Sequence, residues 1–188
     1  DTGISSDDTF GGVVNLGFNF EFYGNTYNQC VISSNNYLSF NTANAGGYSG
    51  WNIGAAVPNN FDAPMNAILC PWQDINPGVG GNIQYSLSGE APNRVFTVTF
   101  CAIPMFSCTD ICYTSQIKLF ETTNVIETHI SEKPLCTTWN DGAAIHALHN
   151  NTGTIANVVT GPDGVVRNFP NQWTALEDGY RFTPNGSN

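Results

Sequence analysis

The chain has 188 residues, 11% of them charged, and its 15 acidic against 5 basic side chains leave a net charge of -10. A polyanion this poor in lysine and arginine does not suit nucleic acid or an anionic membrane surface as a partner. The length suits one domain, residues 1–188, able to bury roughly 70% of its unfolded surface.

Asp1 to Phe10 is polar, carries Asp7 and Asp8, and reads as a solvated lead-in or a short edge strand. From Val13 the pattern changes. Leu16, Phe18, Phe20 and Phe22 alternate with Asn15, Gly17, Asn19 and Glu21, the period of a strand with one buried face. Tyr23-Gly24-Asn25-Thr26 supplies a turn, and Val31 and Ile32 begin a second apolar run, so the segment predicts a hairpin. Tyr37 to Phe40 is a further short strand. Asn41 to Asn66 has no period and contains Gly46, Gly47, Gly50, Gly54, Pro58 and Pro64. A loop this long in a compact domain points to function or to packing of its own.

Ala67 to Trp72 is a compact apolar strand, and Ile83 to Leu87 and Arg94 to Phe100 alternate as half-buried strands. A cysteine-rich connection leads to strands at Thr114 to Phe120 and Val125 to Ile130, joined by the turn Glu121-Thr122-Thr123-Asn124. Further strands are expected at Ala143 to His149, Thr154 to Val159, a bridge at Val165 and Val166, and a closing strand at Tyr180 to Phe182. Short strands, many turns and no helical period predict an all-β fold, a two-sheet antiparallel β-sandwich of roughly ten strands with long loops. Residues 183–188 read as the start of a linker.

Cys30, Cys70, Cys101, Cys108, Cys112 and Cys136 form an even set without a C-x-x-C pair, which favours disulfides over metal or redox chemistry and implies an oxidising compartment. The expected pairing joins Cys101 to Cys112 across a connection, Cys108 to Cys136 and Cys30 to Cys70. His146 and His149 are spaced as H-x-x-H, but on a strand the two rings point to opposite faces, which argues against a shared metal. No serine sits in a G-x-S-x-G elbow; Gly47-Tyr48-Ser49-Gly50 fails the pattern. Asp62, Asp74, Glu90, Asp110, Glu121, Glu127, Asp141 and Asp163 lie in loops or on exposed faces, and no pair stands out as the facing carboxylates of a glycosidase. No cofactor is therefore called for, with one exception. Asp74 with Asn76, and Asn140 with Asp141, place oxygen ligands in tight turns where a calcium ion could bind. Tyr48, Trp51 and Trp173 are the loop aromatics that could stack on a sugar, or could equally anchor their loops by burial.

LGFNFEFYGNTYNQCVISSNNYLSFNTANAGGYSGW, NAILCPWQDINPGVGGNIQY, QIKLFETTNVIETHI, KPLCTTWNDG and EDGYRFTPNG together resemble the N-terminal β-sandwich domain of large Bacteroidetes surface proteins that are gliding-motility-associated and exported by type IX secretion. The opening part is also similar to the wider nidogen-type module. The resemblance implies a non-catalytic extracellular module displayed on the bacterial cell surface, serving adhesion or assembly, with neighbouring domains or subunits as partners. Surface glycans are the alternative partner, through a carbohydrate-binding role of the loop aromatics, and a glycoside hydrolase is a weaker alternative. Asn36 stands where the family pattern has glycine, Gln73 where it has histidine and Asn76 where it has aspartate; the departures at Gln73 and Asn76 remove possible ligands and weaken a metal site at that turn.

Overall fold

A computed structural model describes residues 1–185. Eleven strands form two antiparallel sheets: β1 (Val14–Phe22), β2 (Asn25–Ser33), β3 (Tyr37–Ser39), β4 (Ala67–Trp72), β5 (Asn82–Ser88), β6 (Val95–Met105), β7 (Cys108–Phe120), β8 (Ile126–Lys133), β9 (Ile145–His149), β10 (Ala156–Val158) and β11 (Ala175–Phe182). One sheet has the order β1-β2-β3-β4-β9-β10 and the other β11-β8-β7-β6-β5. The sandwich expected from the strand pattern is the observed fold. The expected linker at 183–188 lies partly outside the described residues, and 183–185 carry no strand.

The alternation in β1 is real: Val14, Leu16, Phe18, Phe20 and Phe22 are buried and the residues between them are exposed. These rings meet Phe40 beyond β3, which stacks on Phe20 at 5.9 Å and on Tyr27 at 4.8 Å between centroids. From β2 onwards the same sheet changes character. The last four residues of β2 and every residue of β3, β4 and β9 are buried. Ile68, Cys70, Ala144 and Leu148 face the space between the sheets, while Val31, Tyr37, Leu69, Trp72, Ile145 and Ala147 face outward into a second apolar cluster. Phe10, Ile53, Val57 and Ala63 close that cluster, so the long segment 41–66 and the N-terminal lead form an outer wall over the sheet. Strands covered on both faces read as continuous apolar runs, which is why Ala67 to Trp72 shows no alternation.

The lead-in combines both readings: Asp1, Gly3, Ser5 and Ser6 are exposed, while its end pairs as a short edge. Thr9 bridges to Tyr48, Phe10 bridges to Ser33, and Phe10 is buried.

Only one of the expected cysteine pairs is bonded, Cys108 to Cys136. Cys30, Cys70, Cys101 and Cys112 are free thiols. Register explains both corrections. Val31 is level with Ser39 and Tyr37 with Leu69, which places Cys30 and Cys70 toward opposite ends of the β2–β3–β4 ladder with β3 between them. Strands about 4.8 Å apart and residues about 3.4 Å along each strand leave that gap far too wide for a bridge. The stretch between Cys101 and Cys112 is not a loose connection either. It is the tip of the β6–β7 hairpin, in which Cys112 lies opposite Pro104 rather than Cys101.

The turn joining β2 to β3 is itself buried: Ser33, Ser34, Asn35 and Asn36 are each 0% exposed. Asn36 has φ +64°, a conformation that favours glycine or asparagine. Its Nδ2 donates to the Cys70 carbonyl at 2.9 Å and its Oδ1 accepts from Ser115 Oγ at 2.7 Å, so one side chain ties β4 to β7 across the sandwich.

Two outcomes follow. Asn36→Ala removes both bonds and worsens the backbone strain, and urea melts should show a loss of about 2–4 kcal/mol. Thiol titration of the denatured, unreduced protein should count four reactive groups, and Cys108→Ala with Cys136→Ala should lower stability by about 3–4 kcal/mol through the loop it reopens.

Candidate functional site

Beyond Trp72 the chain leaves its own sheet and crosses toward the other. The Ile75 bridge to Met105, the Asn76 amide donating to the Pro104 carbonyl at 2.8 Å and the Phe106 amide donating to the Asp74 carbonyl at 3.2 Å pin Gln73–Asn76 against the end of β6. Asp74 is thereby held at one end of the sandwich, 4% exposed. Trp139 Nε1 donates to its Oδ2 at 2.7 Å, and its Oδ1 has no hydrogen-bond partner.

Asp7 and Asp8 arrive at the same place from the N-terminal lead. One oxygen from each of Asp7, Asp8 and Asp74 lies within 4.8 Å of the others. Asn35 Nδ2 donates to Asp8 Oδ1 at 2.9 Å, and Asn76 Nδ2 donates to Asp7 Oδ2 at 3.1 Å. Burial, reinforced by the neighbouring negative charges, pushes Asp74 up to about 7 and Asp7 up to about 6. Burial also raises Asp8, against the hydrogen bond from Asn35.

The oxygen-rich turns expected from sequence are therefore split. Asp74 is central. Asn76 supports Asp7 through its Nδ2 and accepts the Gly78 amide on its Oδ1 at 2.8 Å, so both ends of the amide are engaged. Asn140 and Asp141 form a short 3₁₀ turn, Asn140–Gly142, directly after Trp139. Asp141 is exposed and stands outside the carboxylate cluster. Asp7 and Asp8 escaped sequence reasoning because an Asp-Asp pair in a polar terminus looks solvated. The Phe10 that follows was the available signal, since an aromatic residue next to the pair offers an anchor.

Aromatic residues surround the cluster. Trp51 packs on Trp139 at 5.2 Å, Phe106 packs on Trp139 at 4.6 Å, and Trp51, Trp139 and Phe106 are all partly exposed. Tyr48 projects into solvent, 70% exposed, and its phenol is raised first by what burial it has and then by the nearby charges of Asp8, Asp74 and Asp7. Trp173 does not join them. It is 3% exposed, its Nε1 donates to the Ala144 carbonyl at 2.9 Å, and it is an anchor rather than a surface ring.

The other sequence candidates occupy structural positions. Asp62 accepts the Gly54 amide inside the long segment, Glu121 pairs with Arg94, and Glu127 lies beside His129 and Arg181. Glu90, Asp110 and Asp163 are exposed. His149 Nδ1 meets the Pro64 carbonyl at 2.9 Å on the outer face. His146 faces inward, where Arg167 donates to its Nδ1 at 3.3 Å; its Nε2–H then donates to Thr128 Oγ1 at 2.8 Å. The two rings do point to opposite faces. Arg167 also pairs with Asp178 and stacks over Trp173 at 4.4 Å, and Lys133 Nζ donates to the Trp173 carbonyl at 2.7 Å.

A family model described as NIDO related matches residues 2–184. No match exists among curated proteins or among solved structures. Among the described residues no helix is long and apolar enough to cross a membrane.

Burial and the Arg167 charge hold His146 neutral, pulling it down to about 3 from an ordinary 6.5. Between those values the unfolded chain binds a proton that the folded chain does not, so stability falls as the pH drops from 6.5 toward 3. Comparing urea melts at about pH 7 and about pH 5, His146→Gln should lose about 2 kcal/mol less than the wild type over that interval. The carboxylates titrate alike in both proteins and drop out of the difference.

Proposed function

Since the chain belongs to the NIDO-related family, we propose that it is a non-catalytic extracellular module of a larger surface protein, acting in adhesion or in assembly of a cell-surface structure. The family and the Cys108–Cys136 bridge suggest an extracellular protein. Adhesion or assembly, display on a bacterial surface and export by type IX secretion are the finer parts of the proposal.

The observation that carries the contact role is the exposed Tyr48 ring, on a segment whose flanks are locked down and which three residues later places Trp51 against Trp139. Ser49 is buried and its amide donates to the Asp8 carbonyl at 2.9 Å, so the neighbour of Tyr48 is fixed while Tyr48 itself is offered outward. A rigid, solvent-facing aromatic residue gives contact area at little entropic cost. Neighbouring domains or subunits of the same surface protein are the proposed partners. A surface glycan is the second reading, supported by the same rings lying beside acceptors that suit sugar hydroxyls.

Purified domain should self-associate or dock onto the domain adjacent to it in the full-length gene product, and Tyr48→Ala should weaken that association by about tenfold with an unchanged melting temperature. Equal association by wild type and variant would overturn the contact role of this surface. Retention on a glycan array that is lost in Trp51→Ala would favour the sugar reading over assembly. Turnover of a glycoside would remove the non-catalytic reading altogether.

A further inference from the structure

We propose that Asp7, Asp8 and Asp74 form a calcium site that clasps the N-terminal segment to the loop following β4. Two oxygens on one calcium, each bound at about 2.4 Å, are separated by at most about 4.8 Å. The three carboxylates meet that limit, since one oxygen from each lies within 4.8 Å of the others.

A second observation points to the ion independently of the clustering. Asp74 is 4% exposed and its Oδ1, atomically buried, receives no hydrogen bond. A carboxylate oxygen withdrawn from water without a donor is strongly unfavourable, and a cation on that oxygen removes the penalty.

The surrounding hydrogen bonds are arranged as a metal site requires. Trp139 occupies Asp74 Oδ2 and leaves Oδ1 open; Asn35 occupies Asp8 Oδ1 and leaves Oδ2 open. Asp7 accepts the Asp8 amide on Oδ1 and Asn76 on Oδ2, which fixes the carboxylate while each oxygen keeps a lone pair. Such outer donors orient ligating carboxylates. None of the ion pairs among the described residues involves Asp7, Asp8 or Asp74, so no side-chain cation of the chain takes the place of the metal. An all-oxygen donor set selects a hard divalent ion, and carboxylates from separate segments suit the irregular geometry of calcium better than the strict octahedron of magnesium.

The ion would join the N-terminal lead, the loop after β4 and, through Trp139, the connection from β8 to β9. Ser49 donates its amide to Asp8, so the ion would also fix the segment that carries Tyr48. The site stands or falls separately from the contact role proposed above.

The test is titration of the metal-stripped 188-residue chain with calcium chloride by calorimetry, and with terbium, which reports its proximity to the Trp139 indole by sensitised luminescence. One calcium per chain is expected, with a dissociation constant of about 10⁻⁴–10⁻³ M, the range of extracellular modules. Asp8→Asn and Asp74→Asn should each weaken binding by about tenfold or more and quench the terbium signal, while Asp141→Asn should leave both unchanged. Calcium should also slow hydrogen exchange at the Ser49 amide. Folded wild type that gives neither heat nor luminescence would overturn the site. So would folded Asp8→Asn and Asp74→Asn proteins that bind as the wild type does, and tighter binding of magnesium would overturn the choice of ion.

Discussion

The burial of Ser33-Ser34-Asn35-Asn36 is the constraint on which the rest of the structure leans. A four-residue polar turn removed from water must find a partner for its amides, hydroxyls and carbonyls, because each orphaned group costs about 1–3 kcal/mol. Its partners come from every side. Ser34 Oγ accepts the Thr9 amide, and Ser33 Oγ accepts the Asn35 amide and lies 2.6 Å from Ser49 Oγ. Asn35 donates to the Ser49 carbonyl and to Asp8, while Asn36 reaches β4 and β7. The turn therefore fixes the N-terminal lead, the long segment and both sheets at once. An apolar core supplies attraction without direction, and this polar knot supplies the direction.

The same constraint gives the long segment its work. Residues 41–66 were expected to be functional or self-packed, and most of what they do is cover the outer face of β2, β3, β4 and β9. Trp72 shows how tightly the wall is held, since its Nε1 donates to the Gly50 carbonyl at 3.0 Å while the ring is fully buried. The large side chains that the segment presents most fully to solvent are Tyr48 and Phe61, with Met65 less so.

Much of the fold was legible in the sequence because strand periodicity is local. Phe18, Phe20 and Phe22 declare their face without knowledge of any neighbour, and Ala67 to Trp72 matches β4 residue for residue. Where the sequence misled, the deciding fact was long-range. The stretch from Cys101 to Cys112 looked like a connection because Pro104 and the cysteines break the pattern, yet β6 and β7 run on through it with register shifts after Phe100 and Pro104. Cys30 and Cys70 looked like a pair until the ladder placed them apart. At the candidate site Asp74 was legible as a turn carboxylate. Its companions Asp7 and Asp8 lie more than sixty residues upstream, and no local signal brings two segments so far apart in sequence to one point. Trp173 was ambiguous for the opposite reason: its loop is exposed in pattern while its ring is held beneath Lys133 and Arg167.

Charge completes the account of why one end of the sandwich differs from the rest. The chain has 5 basic side chains, and most are committed elsewhere. Arg94 holds Glu121, Arg167 holds Asp178 and His146, Arg181 lies 3.6 Å from Glu127, and Lys133 is enclosed with its ammonium on the Trp173 carbonyl. Burial and the adjacent Arg167 pull Lys133 down to about 7, so even this lysine is a weak source of positive charge. A sequence this poor in cations can neutralise its acids singly along the second sheet but not three at once. The acidic trio is therefore left at the one place where the polar knot, rather than an ion pair, decides where the carboxylates go. Asn35 makes the connection directly, since from within the buried turn its Oδ1 accepts the Ile75 amide of the loop after β4 while its Nδ2 orients Asp8.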